Sequence, residues 1–107
     1  MPFTVTVLFS NVADAKYNEE YYKSHHMPLV LEKWAKYGMK SFVITKFVAG
    51  VGGEQPVYSF GATVDWETEE AAREAFAGPE VGEIMADVPN FSNKPPVFLL
   101  GAPAGSG

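Results

Sequence analysis

The sequence predicts an α+β fold in which strands and helices follow one another in the order β-α-β-β-α-β. Three observations support this order: four short runs of alternating or β-branched apolar residues, two longer runs with helical spacing, and turn-forming residues between them. The order is that of the ferredoxin-like fold, a four-stranded antiparallel sheet with both helices on one face. The 107 residues are expected to form one domain, residues 1–101, and a loose C-terminal tail, residues 102–107.

The first half of the chain is predicted to contain a strand, a long helix and a second strand. Residues 3–9 (FTVTVLF) alternate with period two, as strands do. Asn18 is a suitable helix N-cap, and two glutamates follow it where they complement the helix dipole. The helix is expected to run to Tyr37 and to end at Gly38, a residue type that favours helix termination. Residues 41–48 (SFVITKFV) form the second predicted strand.

The second half repeats this pattern in the order strand, helix, strand. Residues 57–64 are predicted to form a hairpin with the preceding strand across a glycine-rich turn. Thr68 is the predicted N-cap of a second helix that ends near Gly78. A short helical piece is expected over 80–86, and the last strand over 97–100.

Both faces of the predicted sheet have apolar side chains, although two helices cover only one of them. In the second strand Phe42 and Ile44 point to one side, and Val43 and Phe47 point to the other. An uncovered apolar face is typical of an interaction surface, and a symmetric dimer would cover it. The sequence therefore predicts a homodimer. The alternative is that the C-terminal tail folds over the open face.

Composition narrows the possible partners. Thirteen acidic residues against eight basic ones disfavour nucleic acid, which needs a basic surface. No apolar run approaches the roughly 20 residues that cross a bilayer, so no membrane partner is expected. Cysteine is absent, which removes disulfides and thiolate chemistry and agrees with a reducing cytoplasm as the expected location. A small apolar organic molecule is the predicted ligand.

The first helix contains both histidines of the chain, within the stretch YYKSHHMPL. At about 100° per residue, the stripe expected to contact the sheet consists of Met27, Val30, Leu31 and Trp34. His26 and Tyr22 lie at the edge of this stripe, whereas His25 is rotated toward solvent. Pro28 lacks an N–H, so the carbonyl of Ser24 should lose its usual partner and the helix should bend there. Such a bend beside a half-buried imidazole resembles the construction of a cavity.

Two interpretations of His26 remain open from these residues alone. It is either a structural histidine bonded to a carbonyl or tyrosine hydroxyl, or the functional group of a pocket. Asp87, at the end of the short helical piece, is either a solvated carboxylate or the acceptor that orients His26. No HExxH pair, nucleophile elbow or dinucleotide-binding loop is visible, so the sequence predicts neither a metal site nor a cofactor.

Taken together, these residues resemble the EthD family, named for a protein of ethyl tert-butyl ether degradation. Its signature is an aromatic–Asp pair, two tyrosines, three residues and His-x-Pro-Leu, matched here by Tyr17, Asn18 in place of Asp, Tyr21, Tyr22, His26, Pro28 and Leu29. A second matching stretch comprises Asp87 to Phe91 followed by Pro95 or Pro96. The resemblance implies a dimeric α+β barrel. Its founding member accompanies a cytochrome-based ether-cleaving system, and relatives on this barrel include cofactor-free monooxygenases, lactone isomerases, cyclases and decarboxylases.

Three functional hypotheses follow. In the first, the protein is an oxidoreductase or an isomerase or lyase that binds an apolar molecule between the sheet and the bent helix. His26 would then be the general acid/base, Tyr22 a hydrogen-bond donor and Asp87 the group that orients the imidazole. The expected apolar walls are Phe9, Trp34, Phe60 and Phe91. In the second, the protein is a non-catalytic carrier, or an auxiliary dimer of a partner oxygenase. In the third, its own side chains fill the pocket.

Overall fold

The computed structural model describes residues 2–107 and confirms the α+β, ferredoxin-like fold. The strands are β1 Phe3–Ser10, β2 Met39–Lys46, β3 Tyr58–Trp66 and β4 Val97–Gly101. The α-helices are α1 Glu19–Tyr21, α2 Met27–Trp34, α3 Glu69–Ala77 and α4 Glu80–Asp87. The sheet order is β2-β3-β1-β4, and every neighbouring pair is antiparallel. The predicted hairpin is the β2–β3 pair.

The alternation in β1 determines which side chains enter the core. Its residues Phe3, Val5, Val7 and Phe9 are buried against the helices, while the residues between them are partly exposed on the opposite face. Because antiparallel partners share a face, the register places Phe60, Ala62, Val64 and Trp66 of β3 on the same helix-facing side. The core therefore lies between one face of the sheet and the helices.

Several strand boundaries differ from those that the sequence predicts; β2, for example, ends at Lys46 rather than at residue 48. Two of the other differences bring in core residues. β2 begins at Met39 rather than at residue 41, because Gly38 adopts a positive φ of 120° and turns the chain directly from the helix into the sheet. β3 continues to Trp66 rather than ending at Val64, because Met39 and Trp66 are paired across the two strands. Both corrections add buried side chains to the core.

The first helix is irregular, where the sequence predicts one continuous α-helix. Between α1 and α2, the segment Tyr22–His26 is a π-helix, and α2 is followed by a short 3₁₀ turn, Ala35–Tyr37. In the π-helix the N–H of Met27 donates to the carbonyl of Tyr22, five residues earlier. The irregularity expected at Pro28 is therefore present, but as a wider turn just before that proline.

The predicted caps of both helical regions are confirmed. The Asn18 side chain accepts a hydrogen bond from the Tyr21 N–H at 3.0 Å, and the Thr68 hydroxyl accepts one from the Ala71 N–H at 3.0 Å. α4 extends to Asp87, slightly beyond the predicted 80–86, and continues into a 3₁₀ turn over Val88–Asn90. This extension fixes Asp87 at the end of a helix beside α2.

The sheet face opposite the helices is open in the single chain. Val43 is 63% exposed and Leu99 is 53% exposed. At the paired positions of the four strands, the side chains on this face are mostly threonine, serine and aliphatic residues. Asp65 is the only charged residue among them. Residues 102–107 are exposed and leave Val43 and Leu99 uncovered.

Candidate functional site

His26 is buried where the π-helix meets the core, whereas its neighbour His25 is exposed, as predicted. Only 6% of His26 is accessible. Its ring lies nearly parallel to that of Tyr22, with 5.6 Å between the ring centroids, and it also contacts Phe91 at 4.6 Å. The imidazole is therefore enclosed by aromatic rings.

Asp87 binds the imidazole from the end of α4. Its Oδ2 lies 2.9 Å from Nδ1 of His26, and its Oδ1 accepts hydrogen bonds from the Tyr21 hydroxyl at 2.6 Å and the Asn90 amide at 2.9 Å. Both carboxylate oxygens are therefore held by side chains of the first helix and the 3₁₀ turn. This network ties the first helix to the segment from α4 to Phe91.

The environment has opposite effects on the charge of the two partners. Burial lowers the pKa of His26 below 6.5, and this effect outweighs the hydrogen bond and the negative charge of Asp87, which both raise it. Burial also raises the pKa of Asp87, but the hydrogen bonds from Tyr21, Asn90 and His26 together outweigh it, and the net pKa is lowered. At neutral pH the site therefore holds a neutral imidazole beside a carboxylate.

This pairing fixes the tautomer of the imidazole. An ionised carboxylate only accepts hydrogen bonds, so Nδ1 of His26 must hold the proton that it shares with Asp87. Nε2 then has a free lone pair, and the hydrogen bonds formed within residues 2–107 include none to this atom. An imidazole in this state can accept a proton at Nε2.

An apolar cavity extends from His26 along the sheet-facing side of α2. Sixteen residues line it: Val5, Val7, Phe9, Tyr22, His26, Met27, Val30, Trp34, Val64, Trp66, Phe76, Ile84, Met85, Val88, Pro96 and Phe98. Its free volume is about 30 Å³, room for about two water molecules. A larger organic molecule therefore fits only if lining side chains move apart.

Comparison with known proteins reveals one clear sequence relative, and no protein-family model matches the chain. The relative is an uncharacterized 11.0 kDa protein from the thcB–thcC intergenic region of Rhodococcus erythropolis. It is 32% identical over 91 residues, which span 85% of this chain and 84% of the relative.

Solved structures agree with the resemblance seen in the sequence. An EthD-like protein from Ralstonia eutropha superposes with a TM-score of 0.85 at 22% identity, covering 94% of this chain and 89% of that one. The chain therefore has the fold of EthD-like proteins, and it belongs to the same family as the Rhodococcus relative. The cofactor-independent oxygenase SnoaB from Streptomyces nogalater has the same fold, with a TM-score of 0.69 at 13% identity over 98% of this chain and 95% of its own.

In this protein the predicted site residues fall into two groups. His26, Tyr22, Phe9 and Trp34 line the cavity, and Asp87 contacts His26 from outside it. Phe60 and Phe91 do not line it.

These two phenylalanines belong instead to an aromatic cluster behind the cavity. Phe60 stacks on Phe9 with 4.6 Å between the centroids, and Phe91 lies 4.9 Å from Tyr22. Phe91 is only 2% accessible, but it packs behind the cavity rather than on its wall. The cluster fixes the rings of Phe9 and Tyr22, which do line the cavity.

Among the site residues that sequence reasoning missed are Tyr21, Asn90 and Trp66. Tyr21 and Asn90 bind Asp87, and Trp66 lines the cavity together with Trp34. Tyr21 lies within the family signature and Asn90 within the second matching stretch, so the motif pointed to both without giving them a role. Trp66 lies beyond the predicted end of β3, so it had no place in the predicted sheet.

Two kinds of feature are absent from residues 2–107. No helix there has the length and apolar character needed to span a membrane. No group of three or more histidine, cysteine, aspartate or glutamate side chains is close enough together to bind a metal ion.

Proposed function

We propose that this EthD-like protein binds an apolar small organic molecule in the cavity and that Nε2 of His26 removes a proton from it. The observation that supports this proposal is the environment of the imidazole. One nitrogen is bonded to Asp87, the other is free, and the ring lies on the wall of an apolar cavity. A buried neutral imidazole of this kind suits general-base catalysis at neutral pH.

The proposed entry route passes the end of the cavity nearest β4. Met85, Val88 and Pro96 line the cavity, and the same three residues line a groove on the outer surface. They therefore form the partition between solvent and the interior. Methionine has a flexible, unbranched side chain, so rotation of Met85 is the least costly way to enlarge the opening.

The side chains account for one chemical step. A C–H or O–H of the bound molecule loses its proton to Nε2, and Asp87 stabilises the imidazolium that forms. Burial raises the pKa of the Tyr22 hydroxyl, which therefore stays protonated and can donate to the oxygen on which negative charge develops. Proton removal of this kind begins isomerisations and also cofactor-free oxidations, in which the resulting anion reacts with oxygen.

Deuterium exchange tests this step separately from the rest of the reaction. Lactones, phenols and polycyclic aromatic ketones are incubated with the protein in D₂O, and the loss of their acidic C–H protons is followed by NMR. We expect catalysed exchange of at least one class, reduced by about 10²-fold or more in His26→Gln. His25→Gln is the matched control, because His25 is the adjacent but exposed imidazole. Equal exchange by His26→Gln and the wild type would refute the role of His26.

A carrier function is the second candidate, and the lining itself favours it. Tyr22 and His26 are the only lining residues with a titratable side chain, so the cavity can hold an apolar molecule without any proton transfer. Such a carrier would deliver a metabolite or support a partner oxygenase. Tight binding by both the wild type and His26→Gln, with no exchange on any probe, would favour the carrier over the enzyme.

We further propose that the open sheet face pairs with the same face of a second copy. This face combines exposed Val43 and Leu99 with a single charged side chain at its paired positions, Asp65, and it lies opposite the helices. Its composition matches an isologous interface better than a solvated sheet surface. Sedimentation equilibrium should give twice the 11.7 kDa chain mass, and Leu99→Glu should give the monomer. A wild-type monomer at micromolar concentration would refute this pairing.

A further inference from the structure

Three buried hydrogen-bond donors of the cavity wall have no partner among residues 2–107. They are the Tyr22 hydroxyl and the indole N–H groups of Trp34 and Trp66. All three residues are at least nine-tenths buried, and all three line the cavity. Buried donors are almost always paired in folded proteins, so three unpaired ones around a single cavity require an explanation.

The two indoles lie next to each other. Their ring centroids are 5.6 Å apart at an interplanar angle of 51°. Trp34 is eight residues beyond His26 along the helix, a rise of about 12 Å at roughly 1.5 Å per residue. The unpaired indole donors therefore mark the end of the cavity that lies away from His26.

We propose that the ligand has a carbonyl-type oxygen that accepts hydrogen bonds from the indole N–H groups of Trp34 and Trp66. A carbonyl oxygen has two lone pairs and can accept from both donors. This assignment rests on the proposed binding function and specifies one end of the ligand: an elongated apolar molecule with a ketone, ester or lactone carbonyl at the tryptophan end, separate from the oxygen that Tyr22 would bind beside His26.

The cavity wall at the tryptophan end offers no hydrogen-bond acceptor for a donor group of the ligand. An indole N–H donates and does not accept, and every other lining residue beyond His26 has an apolar side chain, with at most a thioether sulfur. A ligand hydroxyl or amine buried there would keep its own N–H or O–H unpaired, which is unfavourable. The site should therefore select acceptors over donors of the same size.

A pair of ligands that differ only at the acceptor tests this assignment. The ketone 4-tert-butylcyclohexanone and its methylene analogue, 1-tert-butyl-4-methylenecyclohexane, have nearly the same shape. Trp34 and Trp66 are the only tryptophans of the chain, so tryptophan fluorescence reports on this site alone. We expect the ketone to bind about 25-fold more tightly than the alkene, since each of the two hydrogen bonds contributes roughly fivefold.

Proton NMR of the wild-type protein gives a second measurement that needs no variant. The two indole N–H resonances should both move downfield with the ketone and should not do so with the alkene. In Trp34→Phe or Trp66→Phe, the preference for the ketone should fall about fivefold while alkene affinity is retained. Tyr58→Phe is the control, because Tyr58 does not line the cavity.

The outcomes separate this inference from the function on which it rests. If both ligands bind equally and neither moves the indole resonances downfield, the cavity binds apolar molecules but the carbonyl assignment is wrong. If neither ligand binds at millimolar concentration, the binding function itself fails and the assignment fails with it. Tighter ketone binding with both downfield shifts supports the assignment.

Discussion

Replacement of Asp87 by Asn tests whether the carboxylate controls the charge and the tautomer of His26. The carboxylate forms hydrogen bonds with His26, Tyr21 and Asn90 at distances of 2.9, 2.6 and 2.9 Å. The substitution preserves the size of the side chain, removes its negative charge and replaces one acceptor oxygen with an NH₂ group. If that NH₂ group faces Nδ1, the proton of the imidazole must move to Nε2, which then no longer acts as a base.

The direction of the pKa change follows from the two opposing influences on His26. Burial lowers its pKa, whereas the hydrogen bond and charge of Asp87 raise it. In Asp87→Asn the charge is absent, so the pKa of His26 should fall further below 6.5. The three hydrogen bonds to the carboxylate become weaker bonds to a neutral amide, so the free energy of unfolding should fall by about 2–4 kcal/mol.

NMR titration of the imidazole resonances measures the pKa directly. Urea unfolding gives the stability, and deuterium exchange of a bound probe should slow by about 10²-fold. A pKa of His26 that is equal or higher in Asp87→Asn would show that the carboxylate does not act on the imidazole as proposed.

Two further predictions concern stability. Burial, opposed by the carboxylate, lowers the pKa of His26 in the folded state. Below about pH 6.5 the unfolded chain therefore binds more protons at His26 than the folded chain does, and stability decreases as the pH is lowered. In urea unfolding, the loss between about pH 7 and 5 should be smaller in His26→Gln than in the wild type, and equal losses in the two proteins would contradict this. A Cβ at Gly61 would overlap the carbonyl oxygen of Val7, so Gly61→Ala should cost about 1–3 kcal/mol. Gly82→Ala is the control and should not destabilise the protein, because no atom lies near the added Cβ. If Gly61→Ala had no effect on stability, the contact between β1 and β3 would have to relax without cost.

The elements that the sequence predicted correctly are those encoded by neighbouring residues. The alternation of β1 indicated its buried face, and the caps at Asn18 and Thr68 indicated the helix starts, because both signals act over a few residues. The pairing of His26 with Asp87 was open from the residues alone, and their separation of 61 positions is bridged only by the packing of α4 beside α2.

The errors have a different physical origin. The π-helix is defined by a hydrogen bond from the N–H of Met27 to the carbonyl of Tyr22, five residues earlier instead of four. The spacing of apolar residues does not distinguish between these two bonding patterns. The hydroxyl of Ser24 donates to the carbonyl of Glu20 at 2.7 Å and so satisfies a backbone acceptor within this irregular region. The prediction that Phe91 lines the cavity failed because its position behind the cavity depends on contacts with Phe9, Tyr22 and His26, which lie far away in the sequence.

The energetics of the buried pair argue against a purely structural role for His26. Removing an imidazole and a carboxylate from water costs free energy, which their mutual hydrogen bond only partly recovers, and apolar residues of similar volume usually fill such a position at lower cost. A structural histidine would also be expected to bond through both nitrogens, yet Nε2 has no hydrogen-bond partner in the described part of the chain. The same wall contains three buried donors that the fold leaves unpaired. Polar atoms without protein partners around one apolar cavity are unfavourable for folding alone, and hydrogen bonds from a molecule inside the cavity would offset that cost.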